Sequence, residues 1–544
     1  MGKYAGQADI IIKNGRIIDG TGNPYYYADI AIKQDKIAAI GDLSVASAPL
    51  IIDAAGKLVT PGFIDSHSHS DATVWVNPEC QSTVRQGVTT EIVGNCGMMS
   101  LCSVQGSFPG PSAHDPGEPV SIYDADPPAG SFSGVFDKLE KLGVSENFAW
   151  YCGHNKLRQI AGIRGADYTE AQFAVMEKNL REALDSGYIG LSTGLEFQPG
   201  KLARPEEIER LAAVVKEYDG IYASHTRNRD SAVYESTEEF LNVIRRYRIR
   251  GVYSHLNIRD HTGAPENALR KTIRHLHEVR DQEGLNVVTD MIPSLYGIGQ
   301  MRALLPDWVT ANGWDEARKI LSDLEKRKIL RTSCDRYWRF IHSGDWWRVR
   351  VQYAPRYPEI AGLTFPDLAK LWNQDEWACF FDILAAAETQ DEAEQCIMLG
   401  KMFTEIDIAD SITDPLFMWV ADGYTTVDQG PLAEITAVPK HYMDIMYFFT
   451  HHVRDQKNIS IEKAISKVSS YPATFYRLTD RGLIAEGYYA DINVFSLDEL
   501  KTRATFDRPC VYSEGMHYVI VNGIPVIAEG EHTHARPGRV LKHQ

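Results

Sequence analysis

Six residues in this 544-residue chain have the types and the placement to do chemistry together. His67-Ser68-His69 follows the apolar stretch Gly62-Phe63-Ile64-Asp65, and Cys96 closes Val88–Val93 within Gly94-Asn95-Cys96-Gly97. His225 ends Ile221-Tyr222-Ala223-Ser224, His255 ends Val252-Tyr253-Ser254, and Asp422 follows Leu416-Phe417-Met418-Trp419-Val420. Each short apolar run bounded by turn residues reads as a buried strand. Imidazole, thiolate and carboxylate therefore stand at the same end of several strands. Side chains two apart in extended backbone point to one side, so His67 and His69 can reach a common ion. The spacing alone is weak evidence. His275-Leu276-His277 has it inside a helical pattern, where the two rings diverge, and His532-Thr533-His534 has it in the C-terminal tail. What singles out the first set is the coincidence of donors on four different strands.

Five nitrogen and sulfur donors exceed the three protein ligands and one water of a mononuclear catalytic zinc. Two ions sharing a bridge fit better, with the Cys96 thiolate as the bridge, and thiolate with imidazole favours zinc over magnesium or calcium. The expectation is one or two zinc ions. Asp422, across from the donors, is the expected general base and acid, although Asp-Gly before two threonines also suits a plain turn. Asp290, at the end of another strand, is its rival.

The elements that must carry these residues alternate. Thr169 and Gln172 form a capping box ahead of a helix stopped at Gly187, and strand Ile189-Gly190-Leu191-Ser192 follows. A helix from Pro205 leads to the strand ending in His225, and a helix over 237–248 leads to the strand ending in His255. One over 266–283 leads to Asn286-Val287-Val288-Thr289-Asp290. With earlier strands at 62–65, 88–93 and 147–151 and a late one at 416–420, eight strands and their helices predict a (β/α)8 barrel, an α/β fold whose active sites lie at the C-terminal strand ends. A doubly wound open sheet is the alternative.

Both chain ends carry β patterns around an Asn-Gly turn, Ile10 to Gly20 and Val519 to Ile527. They predict a composite β-sandwich domain from 1–60 plus 480–544, flanking a metal-dependent barrel over 61–479. The gap after strand seven is too long for a loop and predicts an insertion over about 293–410. It holds seven of the ten tryptophans, either as its own small core or as a lid over the mouth.

Composition narrows the partners. A net charge of −17 repels a phosphate backbone, so no nucleic-acid partner is expected. No stretch has the length of a membrane span and the start lacks a secretion signal, so no membrane association and a cytoplasmic location are expected. Eight scattered cysteines without a CxxC pair predict mostly reduced thiols. A homo-oligomer is left open.

Seven stretches then carry a resemblance to a known family. Pro61-Gly62-Phe63-Ile64-Asp65-Ser66-His67-Ser68-His69 together with Asp491-Ile492-Asn493-Val494-Phe495 resembles the amidohydrolase superfamily. Gly94-Asn95-Cys96-Gly97, Gly153-His154-Asn155-Lys156-Leu157-Arg158, Gly190-Leu191-Ser192-Thr193-Gly194-Leu195, Asp480 to Gly487 and Ala535 to Leu541 resemble more narrowly the N-acyl-D-amino-acid deacylases, or D-aminoacylases. The resemblance implies a zinc-dependent amide hydrolase. In it Cys96, His225 and His255 hold the tight ion, His67 and His69 a second one sharing Cys96, and Asp422 shuttles the proton, with a metal-bound hydroxide attacking the acyl carbon. His154, Asn257 and Ile292 are the expected substrate contacts. Two of them depart from the family, which carries Lys where this chain has Asn257 and Tyr where it has Ile292. Losing a cation and a phenol argues against a standard N-acyl-D-amino acid, because a buried carboxylate needs charge-assisted partners. Arg259 is a candidate replacement. The expected substrate is a small-molecule linear amide. Acyl transfer to an amine by the same site and a metal-free scaffold are the alternatives, while a carboxylated-lysine site is disfavoured because Ser192 to Glu196 contain no Lys.

Overall fold

The computed structural model describes residues 6–99, 111–112, 115–119, 132–260, 262–333 and 336–543. Eight parallel strands form the sequence-predicted barrel: Phe63–Asp65, Val88–Val93, Asn147–Gly153, Gly190–Gly194, Ile221–His225, Arg250–Tyr253, Val287–Met291 and Phe417–Trp419, each paired with the next in chain order. The first and last meet through single bonds, Ser66 Oγ donating to the Trp419 carbonyl at 3.1 Å and Asp422 N–H donating to the His67 carbonyl at 2.9 Å. The interior is filled by Ile92, Ala149, Tyr151, Ile221, Ala223, Val252, Val288 and Met418. Alternate residues face the helices, as Tyr222 does in stacking on Phe240 at 5.8 Å.

The helices begin and end where local chemistry dictates. Glu170–Asp185 has the full capping box of Thr169 and Gln172, Pro205–Glu217 starts on proline, and Ala268–Glu283 ends on left-handed Gly284. The helix expected from Thr237 begins earlier, as Val233–Tyr247, with Val233, Phe240 and Ile244 buried.

Strands from both chain ends join in a second, nine-stranded sheet, in which Ile492–Phe495 pairs antiparallel with Leu58–Pro61. The hairpin expected at the start is instead one strand, Ile10–Ile17, with a register shift between Ile12 and Gly15. Asn14 there has φ 61°, so Asn-Gly makes a bulge rather than a turn. After barrel strand seven, Tyr296–Gln300, Val349–Tyr353 and Ile397–Lys401 form a three-stranded sheet. Beside it Trp346 packs 4.7 Å from Phe365 and 5.0 Å from Trp377, an aromatic core of the segment's own. The six described cysteines are free thiols, five of them buried; Cys102 and Cys334 lie outside the described residues. No helix among the described residues is long and apolar enough to cross a membrane.

Candidate metal centre

Strand parity and strand breaking together aim the donors. Ile221 and Ala223 face the barrel interior, so His225, two further on, faces it too. Cys96, His255 and Asp422 each sit at positive φ, 55°, 35° and 49°, where non-glycine residues are uncommon. Val252 faces inward, so a regular strand would send His255 toward the helices; the left-handed turn re-aims it. Close backbone approach supports Cys96, since a Cβ on Gly194 would lie 1.9 Å from its carbonyl oxygen. Such conformations cluster where function holds them in place.

The Cys96 sulfur is the common vertex. It lies 3.3 Å from His67 Nε2, 3.3 Å from His255 Nε2 and 3.5 Å from His225 Nδ1. Ligand atoms of His67, Cys96, His255 and Asp422 all lie within 4.8 Å of one another. His69 joins through Asp422, its Nε2 being 3.2 Å from Oδ1, while Ser68 between the two histidines turns to Glu91 at 2.7 Å. All of the sequence-predicted donors thus meet at one mouth.

This set fits a metal ion. Zn–S of about 2.3 Å and Zn–N of about 2.0–2.1 Å at a tetrahedral angle imply sulfur-to-nitrogen edges of about 3.5 Å, and one thiol proton cannot serve three rings. The outer ring nitrogens meet carboxylates, as those of metal-bound imidazoles do: His225 Nε2 is 2.7 Å from Glu196, and His67 Nδ1 is 3.5 Å from Asp290. His255 differs, its Nδ1 lying 2.8 Å from an Arg229 N–H that also bonds the His255 carbonyl at 2.7 Å. An ion on His255 Nε2 needs the ring proton on Nδ1, with Arg229 keeping the carbonyl alone.

Burial pushes His225 down to about 4, aided by Arg229, and holds His255 well below its ordinary value, so both rings are neutral and have lone pairs to give. Burial raises the Cys96 thiol, and a bound cation is what would deprotonate it. Burial works to raise Asp422 too, but Lys440 and His69 outweigh it and hold its carboxyl well below the usual range. Asp290, its rival, is raised by burial, has a 0% exposed side chain and accepts from the His255 N–H. Asp422, 22% exposed, is the more accessible of the two carboxylates.

The substrate-contact residues fall differently. His154 is fully buried, bonded to Glu207 at 2.7 Å beside Arg158, and lines no part of the mouth cleft. Asn257 and Ile292 hold each other: the Asn257 amide donates to the Ile292 carbonyl at 3.1 Å and accepts from its N–H at 3.0 Å. Arg259 is spent on Glu196 at 2.9 and 2.5 Å. The cleft, about 730 Å³, opens instead beside His69 and Tyr424 and carries the cations Lys156, Arg164 and Arg302. Glu196 was legible only as a carboxylate two residues beyond the fourth strand; nothing in the sequence pointed to Lys440 or Tyr424.

A parallel barrel whose mouth gathers histidines, one cysteine and an aspartate defines a hydrolase of the metal-dependent barrel class. The Amidohydrolase family's sequence profile matches residues 50–284 and 434–527, and the chain belongs to that family as a hydrolase acting on amide bonds. It is 29% identical over 546 residues to N-acyl-D-glutamate deacylase of Alcaligenes xylosoxydans xylosoxydans, covering 98% of this chain and 96% of that one. Among solved structures it resembles a D-aminoacylase with a binuclear metal centre, at TM-score 0.78 and 25% identity over 98% of this chain and 100% of the other. It also resembles the N-acyl-D-glutamate deacylase of Bordetella bronchiseptica in complex with zinc and a phosphonate inhibitor, at TM-score 0.76 and 26% identity over the same shares.

Proposed function

We propose that the chain is a zinc-dependent hydrolase of a linear N-acyl amide, with Cys96, His225 and His255 holding the main ion and His67 and His69 serving a second that shares Cys96. The observation that carries this reading is the single sulfur within 3.5 Å of three imidazoles, with Asp422 beside them. Zinc supplies Lewis acidity toward the acyl carbonyl and toward water. Glu196 and Asp290 orient His225 and His67 by taking up their outer nitrogens. Asp422 accepts the proton of the attacking water and hands it to the leaving nitrogen, an ionised base at neutral pH that the solvent-facing mouth can recharge.

The substrate differs from a standard N-acyl-D-amino acid at its carboxylate. Asn257 and Ile292 spend their polar atoms on each other, so neither offers a charge to grip one. The expected substrate is an amide without an essential α-carboxylate, or one with a bulky apolar leaving amine. Turnover of an N-acetyl-D-amino acid compared with its carboxamide tests this, and a strong preference for the free acid would overturn it. For the mechanism, Asp422→Asn is expected to lower kcat by roughly 10² or more with zinc per chain unchanged; full activity in that variant would reject the proton shuttle.

A further inference from the structure

The turn that carries Asp422 is held from two directions. From strand one, the His67 carbonyl accepts the Asp422 N–H at 2.9 Å and the His69 N–H donates to the Gly423 carbonyl at 2.8 Å. From behind, the helix Lys440–Tyr447 presses its first residues onto the turn, so that a Cβ on Gly423 would lie 3.0 Å from the His441 ring. Lys440, 5% exposed, donates from Nζ to the Asp422 carbonyl oxygen and stands 3.7 Å from Oδ2. With φ at 49°, Asp422 is in a conformation that its own backbone does not favour, so these outside bonds fix where its carboxylate points.

Of the two carboxyls near Lys440, the one its ammonium meets is that of Asp422, at 3.7 Å. Asp444, one helical turn along, is buried with neither oxygen hydrogen-bonded, and burial pushes it up to about 8 against the pull of Lys440. The ammonium is therefore left to Asp422. A cation there makes the carboxylate a weaker base, so what Lys440 contributes is geometry rather than basicity.

We propose that Lys440 is a positioning residue for the reaction: its ammonium clamps the Asp422 carbonyl and one carboxylate oxygen, leaving the other aimed at the histidines. This rests on Asp422 being the proton shuttle. The test is a double-mutant cycle of Lys440→Met and Asp422→Asn, reading kcat, KM, zinc per chain and Tm. Lys440→Met is expected to lower kcat about 10- to 100-fold with KM and zinc unchanged, Lys440→Arg to recover most of the loss, and Lys440→Met to add nothing on the Asp422→Asn background. Equal losses on both backgrounds, or wild-type kcat in Lys440→Met while Asp422→Asn is crippled, would overturn the positioning role and leave Asp422 intact. A fully active Asp422→Asn would instead remove the reading beneath it. Should Lys440→Met not fold, Lys440→Gln enters the same cycle with the same criteria.

Discussion

Two stretches of this chain have the same signature and opposite fates. His67-Ser68-His69 at the mouth and His532-Thr533-His534 in the tail each place two imidazoles near a carboxylate, and His67 in the one and both histidines in the other belong to clusters whose ligand atoms lie within 4.8 Å. In the tail the atoms are already used. His532 Nε2 meets the Glu79 carbonyl at 2.9 Å, its Nδ1 accepts the His534 N–H at 2.9 Å, and Glu79 takes His534 at 3.0 Å and Gln81 at 2.8 Å. At the mouth three rings crowd one sulfur, and no pairing of protons satisfies them all. The helical pair is spent as well, His275 on Glu238 and His277 on Asp414 at 2.9 Å. Spacing nominates a metal site; unspent lone pairs decide it.

The hardest blow to the mouth is Cys96→Ala. It should strip zinc from the purified protein and abolish turnover, and full occupancy by elemental analysis would erase the distinction between the two clusters. Glu196→Gln should weaken zinc affinity 10- to 100-fold while the protein stays folded, because the His225 ring loses the negative charge of the acceptor that orients it; chelator competition reads the change, and an unaltered affinity would make Glu196 a bystander.

Asp444 extends the contrast of spent and unspent atoms to the helix behind the site. Its carboxyl titrates near 3.8 unfolded and about 8 folded, so between those values the unfolded chain has released a proton that the fold retains. The group's contribution therefore falls as pH rises through that window and levels off above it. Asp444→Asn should gain in Tm over wild type progressively from about pH 4 to 8; a constant difference would show that the carboxyl is ionised in the fold. The smallest effect belongs to the tail, where His534→Ala, at a 71% exposed side chain, should leave zinc content alone and change stability by less than about 0.5 kcal/mol. Lost zinc in that variant would break the comparison from the other side.

How far the sequence could be read follows the same line. Strand ends and residue types were legible because apolar runs, glycines and caps are local signals, and the five residues expected as donors and Asp422 come together at one mouth. The alternation rule also aims His225 correctly. It fails at His255, whose inward direction comes from a positive φ that no neighbouring residue announces. Partners brought from elsewhere were hidden: Glu196 and Lys440 reach the site across 29 and 18 residues, to His225 and Asp422. His154 was singled out by a local motif, but its partner, Glu207, is 53 residues away and gave no local sign. Asn257 and Ile292, chosen as substrate contacts, find each other across 35. The Asn14-Gly15 bulge is the same lesson in the sheet, where pairing with Tyr26–Lys33 overrode a turn signal.

Zinc X-ray absorption on the wild-type protein and on Cys96→Ala tests the central claim most directly. The account predicts a sulfur shell at about 2.3 Å beside nitrogen or oxygen at about 2.0–2.1 Å in the wild type, and no sulfur in any zinc the variant retains. A wild-type zinc site made of nitrogen and oxygen alone would contradict it.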